Sequence, residues 1–132
     1  MVTLTNEIKE SIAAAKTAFL ATSAQDGTPN VVPIGAFKVL DDSTLLISDQ
    51  YFNKTAKNLA GNKKVALSWW GDKAGFQIKG TVTIYTDGEI FTQDVAWVKG
   101  IKASLNPKAA LVLKITDVYS IRPGPDAGKK IL

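Results

Sequence analysis

Neither cysteine nor histidine occurs in the 132 residues, and arginine appears once, at Arg122. Their absence removes disulfides, thiolate nucleophiles, the usual zinc sites, Ser-His-Asp relays and histidine ligation of haem in one step. Any chemistry is therefore expected to come from a borrowed group. Of the 16 basic residues that give a net charge of +4, fifteen are lysines spread along the whole chain. Reading of nucleic acid leans on arginine forks and clustered basic stripes, so no nucleic-acid partner is expected, and the charge suits solubility or attraction of small anions. No apolar run approaches the roughly 20 residues needed to cross a bilayer, so no membrane partner is expected. The opening Met1-Val2-Thr3-Leu4-Thr5-Asn6-Glu7 lacks a basic region followed by an apolar stretch, so the expected location is cytoplasmic. With 45% hydrophobic and 21% charged residues, the chain has the composition of a globular protein, and its length predicts one domain over 1–132.

The segment that carries most information runs from Thr44 to Leu59. An apolar strand, Thr44 to Ser48, leads through a polar turn into a short helix that opens on Asn53, Lys54 and Thr55. The first N–H groups of a helix have no intrahelical partner and carry partial positive charge, so they suit a phosphate. Lys54 adds a full charge and Thr55 a hydroxyl donor. The same residues also read as an ordinary N-cap, a solvated lysine and a tolerated first-turn threonine. Taken alone, they do not choose between the two.

The rest of the chain reads as mainly β. Thr5 to Lys16 predicts a helix, capped by Thr5 or Asn6 and lying as a lid on something apolar through Ile8, Ile12 and Ala15. Thr17–Ser23 and Pro29–Phe37, joined through Asp26-Gly27, form a hairpin signal. Pro33 and Gly35 in its second arm mark an edge, a bulge or a wall facing a ligand. The continuous apolar run Thr44–Ser48 predicts burial on both faces. The helix after it, about Asn53 to Ala60, stops at Gly61-Asn62. Lys64–Trp70 and Phe76–Tyr85 are further strands, with Gly71 to Gly75 as the turn between them, and Gly80 predicts a bend in the second. Glu89 to Leu105 reads as a helix stopped by Asn106-Pro107. Ala109 to Ile121 is a long strand, bulged near Thr116-Asp117, and the Pro/Gly-rich 122–132 tail is expected to be irregular. Six strands, mostly joined by short turns, predict a closed or nearly closed antiparallel barrel with about three helices packed outside.

The order of these elements, with Asn53-Lys54-Thr55 and Asn58-Leu59 after the third strand, resembles the FMN-binding split-barrel family related to pyridoxamine 5′-phosphate oxidase. Lys38-Val39-Leu40-Asp41 and Gln77-Ile78-Lys79-Gly80 add to the likeness, which spans about residues 5 to 121 and is nearest to the short FMN-binding members. The resemblance implies a six-stranded split barrel and a homodimer with FMN at the subunit interface. Lys54 and Thr55, with Asn53, would hold the phosphate. Backbone groups around Pro33-Ile34-Gly35 and Ser48-Asp49-Gln50 would line the ribityl chain and the ring edge. Trp69, Trp70 or Trp97 of a partner could cover a ring face, although for each tryptophan core or dimer packing is the commoner use. The implied activity is that of a small flavin-dependent oxidoreductase or electron carrier, with no side chain nominated as acid or base and the redox partner unknown. The basic and aromatic set that would grip the phosphate of pyridoxine is missing, so vitamin B6 oxidation is not expected. The alternatives are a flavin-binding or storage module without turnover, a deazaflavin-dependent reductase, and a barrel for some other anion.

Overall fold

Local chemistry explains each element of the computed structural model, which describes residues 2–71 and 75–132. The first helix, α1 (Asn6–Ala14), starts where the Thr5 hydroxyl accepts the Ile8 N–H at 3.3 Å, and it buries Ile8, Ser11 and Ile12. It acts as the expected lid. Strands β1 (Ala18–Ser23) and β2 (Pro29–Ile34) form the expected hairpin. At its turn Gly27 takes a positive φ of 93°, and Asp26 accepts the Thr28 N–H at 2.9 Å.

Then the chain divides where one strand was expected. After Ile34, Gly35 and Ala36 leave the ladder, and a separate β3 (Phe37–Asp41) pairs with β4 (Thr44–Asp49). The sheet therefore has seven strands rather than six. The remaining elements are α2 (Lys54–Gly61), β5 (Lys64–Ser68), β6 (Phe76–Tyr85), α3 (Gly88–Ile101) and β7 (Ala109–Ser120). Trp69 and Trp70 lie past the end of β5, and α3 stops at Ile101, four residues short of Leu105. The expected turn from Gly71 to Gly75 lies largely outside the described residues.

The antiparallel sheet runs β2-β1-β5-β6-β7-β4-β3, so β2 and β3, consecutive in the chain, stand at opposite edges. Only Gly35 and Ala36 separate them, and three Cα–Cα steps span at most about 11 Å. The two edges must therefore approach each other, which curls the sheet into a split barrel with the helices outside. Ser48 N–H donates to the Ala36 carbonyl at 3.0 Å and pins the crossing point.

Two irregularities bend the wall. Between β6 and β7 the register shifts from Lys79↔Asp117 to Gly80↔Ile115, leaving Thr116 as the extra residue of a bulge. A Cβ at Gly80 would collide with the Lys114 carbonyl oxygen and come within 2.8 Å of Leu113 Cδ1, so the backbones pass too closely for any side chain. The expected bend and bulge are thus two sides of one feature.

The interior is filled by Leu20, Leu45, Ile47, Leu67, Ile78, Leu111 and Leu113, with Leu59 of α2 and Trp69 closing it. Each such side chain contributes roughly 1.5–3 kcal/mol by leaving water. Trp69 is 2% exposed, and its Nε1–H donates to Ser11 Oγ at 2.8 Å, which ties α1 to the barrel. This tryptophan belongs to its own core and is not available to a partner. Residues 122–132 form no helix or strand, as expected, yet they are tied to β7: Ser120 N–H donates to Lys129 O at 2.9 Å, Ile131 N–H to Val118 O at 2.8 Å, and Lys130 pairs with Asp117 at 2.9 Å. Among the described residues no helix is long and apolar enough to cross a membrane.

Candidate functional site

Strand alternation decides which side chains of β4 meet the site. Leu45 and Ile47 point into the barrel, so Leu46 and Ser48 point outward, beneath α3, and Asp49 points inward again. Beyond Ser48 the outer surface opens into a cavity of about 460 Å³, within the range typical of small-molecule sites. Pro33, Ile34 and Gly35 form one wall; Ser48 and Gln50 lie at its floor; Asn53, Lys54 and Thr55 close one end. Thus eight of the nine residues singled out from the sequence share one cavity. Asp49 is the exception. Its carboxylate accepts the Phe52 N–H at 3.0 Å and lies 3.9 Å from Lys108 Nζ, shaping the turn into α2. Burial pushes its pKa up, against the opposing pull of the Phe52 N–H and the Lys108 ammonium.

The phosphate-like end is built by α2. Asn53 occupies the N-cap position, yet its side chain makes no capping bond, and the first helical bond is Lys57 N–H to Asn53 O at 3.1 Å. Ahead of it, the amides of Lys54, Thr55 and Ala56 have no carbonyl within the helix to donate to. Thr55 is 1% exposed and accepts from Asn30 Nδ2 at 2.9 Å, so its own proton is left to donate elsewhere. Asn30 also donates to Thr22 Oγ1 at 3.2 Å, and Asn58 donates to the same oxygen at 3.0 Å. This knot of two amides and two hydroxyls fixes the mouth of α2 against β1 and β2. Lys54 is exposed and is the one charged residue in the described lining.

Much of the remaining lining is apolar: Val32, Ala36 and Phe52, with Ile101 and Leu105 from the end of α3 and the segment after it. Tyr51, 85% exposed, and Ile101, 60% exposed, stand at the mouth. Trp97 is engaged by Lys38, whose Nζ lies 4.7 Å from the ring centroid, whereas Trp70 is 56% exposed.

Beneath the floor lies a group that the sequence reading did not single out. Asp94 of α3 is completely buried, and its Oδ2 accepts the Ser48 hydroxyl proton at 2.9 Å. Its Oδ1 is buried with no hydrogen-bond partner among the described residues. Ser48 Oγ in turn accepts from Gln50 Nε2 at 2.6 Å. Desolvation pushes the Asp94 pKa up; the Ser48 hydroxyl and Lys38 pull it down and Asp49 pushes it up. One signal was available: Ile90, Asp94 and Val98 fall at i, i+4, i+8, which puts an acid on the apolar stripe of a helix. Asn30 had a similar one, since it shares a strand face with Val32 and Ile34.

With this geometry in place, comparison with known proteins adds a lineage. The family model described as pyridoxamine 5′-phosphate oxidase matches residues 4–122. The chain belongs to that family. An uncharacterized protein of Methanocaldococcus jannaschii is 42% identical over 134 residues, covering 99% of this chain and 89% of the relative. Among solved structures, HupZ of Group A Streptococcus superposes with a TM-score of 0.81 at 25% identity, covering 95% of this chain and 99% of its own. An FMN-binding protein from Syntrophomonas wolfei gives 0.71 at 21% identity, covering 85% and 82%. HutZ, the heme storage protein of Vibrio cholerae, gives 0.70 at 21%, covering 90% and 95%. The last two speak for the fold alone.

Proposed function

We propose that the protein binds FMN in the cavity at the mouth of α2 and works as a small flavin-dependent oxidoreductase or electron carrier. The observation that carries this is the uncapped helix start, where Lys54 and a Thr55 hydroxyl whose proton Asn30 does not use both line one largely apolar cavity. One cation among amide donors matches one phosphate. The apolar lining suits ring faces, and the polar Ser48 and Gln50 suit a hydrogen-bonding ring edge. When bound, the flavin would supply the electron or hydride transfer. The chain's residues hold it, orient it and set how much water reaches it.

Several neighbouring readings fit less well. The family's name denotes oxidation of a phosphorylated vitamin, yet the described lining has no second cation to hold a second phosphate. HutZ stores heme, but this chain has no histidine to ligate iron. The exposed Tyr51 and Ile101 at the mouth support a homodimer in which a second copy completes the cavity and covers the flavin. A cytoplasmic location is part of this proposal.

The test is an absorbance spectrum of the purified protein followed by titration with FMN. Flavin bands, or quenching of FMN fluorescence to a saturable end point, are expected. Lys54→Ala should weaken FMN about tenfold, the equivalent of roughly 1.4 kcal/mol for one charge-assisted contact. Unchanged affinity would remove the cradle from the account, and tighter binding of a deazaflavin nucleotide than of FMN would move the protein to that branch.

A further inference from the structure

Ser48 and Gln50 reach the cavity, whereas Asp94 lies behind them with no exposure at all. The three form a line: Gln50 Nε2 to Ser48 Oγ at 2.6 Å, then Ser48 Oγ to Asp94 Oδ2 at 2.9 Å. A hydroxyl carries one proton. While Asp94 is ionised it accepts only, so Ser48 must donate to it and must accept from Gln50. That sets the Gln50 amide with its nitrogen toward Ser48, leaving the carbonyl oxygen on the other arm for the cavity.

We propose that Asp94 is a positioning residue for the cavity ligand: acting through Ser48, it fixes which arm of the Gln50 carboxamide faces the cavity, and a proton taken up by Asp94 reverses that choice. A neutral Asp94 donates to Ser48 Oγ, Ser48 then donates its own proton to the Gln50 carbonyl oxygen, and the amide nitrogen swings to the cavity. Asp94 gains one O–H bond at the expense of a hydronium O–H bond in the solvent, and every other change is an exchange of hydrogen bonds. The wall thus presents an acceptor to a ring N–H in one state and a donor to a ring carbonyl or imine nitrogen in the other. A flavin edge carries both kinds of group side by side, so the inference rests, for its ligand, on the reading given above.

Two observations make a change of protonation physically reasonable. The Asp94 Oδ1 atom is buried and unpartnered, a costly state for a carboxylate and a milder one for a neutral acid. Among the charged groups acting on Asp94, Lys38 from β3 favours the ionised form and Asp49 from β4 opposes it, while β6 and β7 add none among the described residues. Burial outweighs the attraction of Lys38 and moves the titration upward.

The decisive measurement needs no flavin. In ligand-free protein, the side-chain amide resonances of Gln50 are followed by NMR from about pH 4 to about pH 8, a range that brackets a raised carboxylate pKa. A single titration step is expected in the wild type, lost in Asp94→Asn and in Ser48→Ala; should Asp94→Asn fail to fold, Ser48→Ala carries the test. Gln50 resonances with the same pH response in wild type and variants would overturn the proposal. FMN affinity measured across the same range then supplies the second readout. The ratio of Kd between Asp94→Asn and wild type cancels titration of the FMN phosphate, and it should change at least about threefold across the step. A flat ratio with bound FMN would overturn the effect on the ligand. A Gln50 step in a protein that never binds FMN would sink the flavin reading and leave the relay standing.

Discussion

Asn30 holds Thr55: its Nδ2 lies 2.9 Å from the Thr55 hydroxyl oxygen and 3.2 Å from that of Thr22, bridging β2, α2 and β1. The consequence is directional. Because Thr55 accepts from Asn30, its single proton is not used on Asn30 and stays available to an anion bound at the mouth of α2. Asn30→Ala should therefore weaken FMN about fivefold, close to the ~1 kcal/mol of one oriented hydrogen bond. Thr55→Val should weaken it at least as much, and Thr55→Ser should preserve it. Fluorescence titration of the three variants separates these outcomes, and an Asn30→Ala protein that binds like wild type would show that Thr55 needs no orienting.

How much of this was legible in the sequence follows from the range of the interactions involved. Local patterns were readable: the Asp26-Gly27 turn, the doubly buried run of β4, and the Gly80 bend each depend on residues close together in the chain. The break at Gly35 and Ala36 was not readable, because what separates β2 from β3 is pairing with β1 on one side and β4 on the other, at opposite edges of the sheet. The cavity residues were visible as two clusters, 33–35 and 48–55, and only folding shows that they share a wall. Ser48 and Asp49 were grouped in one expected lining stretch, Ser48-Asp49-Gln50, and strand alternation sent them to opposite faces. Asp94 and Asn30 were hidden by distance, since their partners lie 46 and 25 residues away.

Gly80 makes a prediction about stability alone. A methyl group there would meet the Lys114 carbonyl, a backbone group of the neighbouring strand that cannot swing aside, as well as the Leu113 Cδ1 methyl. Gly80→Ala should force β6 and β7 apart at the bulge and cost about 1–3 kcal/mol, the usual range for overpacking. Urea unfolding should show a lower midpoint with an unchanged slope. An unaltered midpoint would mean that the bulge relaxes freely.

The buried carboxyl of Asp94 predicts how stability depends on pH. Its folded pKa is raised above the unfolded value, so between the two the native state binds more protons than the unfolded one, and stability falls as pH rises through that window. Above the folded pKa the cost is fully present. An asparagine never ionises, so the melting temperature of Asp94→Asn, measured relative to wild type, should rise with pH from about 4 and level off toward neutrality. Asp49, also raised by burial, is retained in both proteins, so only the part of its titration that depends on the Asp94 charge enters the difference. Thermal melts at a series of pH values give the sign directly. A difference that is constant with pH would show that Asp94 ionises in the fold as it does in the unfolded chain, its charge well compensated, and one that climbs without levelling would place it in its neutral form throughout.

The last residue of α3 tests the assembly. Ile101 is 60% exposed although it lines the cavity, and a lone exposed isoleucine contributes little to the stability of a single copy. If a second copy covers it, Ile101→Lys should place a charge in the interface without harming the fold. Exposed substitutions of this kind shift stability by no more than about 0.5 kcal/mol. Sedimentation analysis should then move from dimer toward monomer, and FMN affinity should fall at least about tenfold because the ring loses its cover. An Ile101→Lys protein that remains dimeric and binds FMN normally would direct the search for the interface to the exposed Phe19 and Val31 on β1 and β2. A protein that becomes monomeric yet binds FMN as before would show that one copy completes the site on its own.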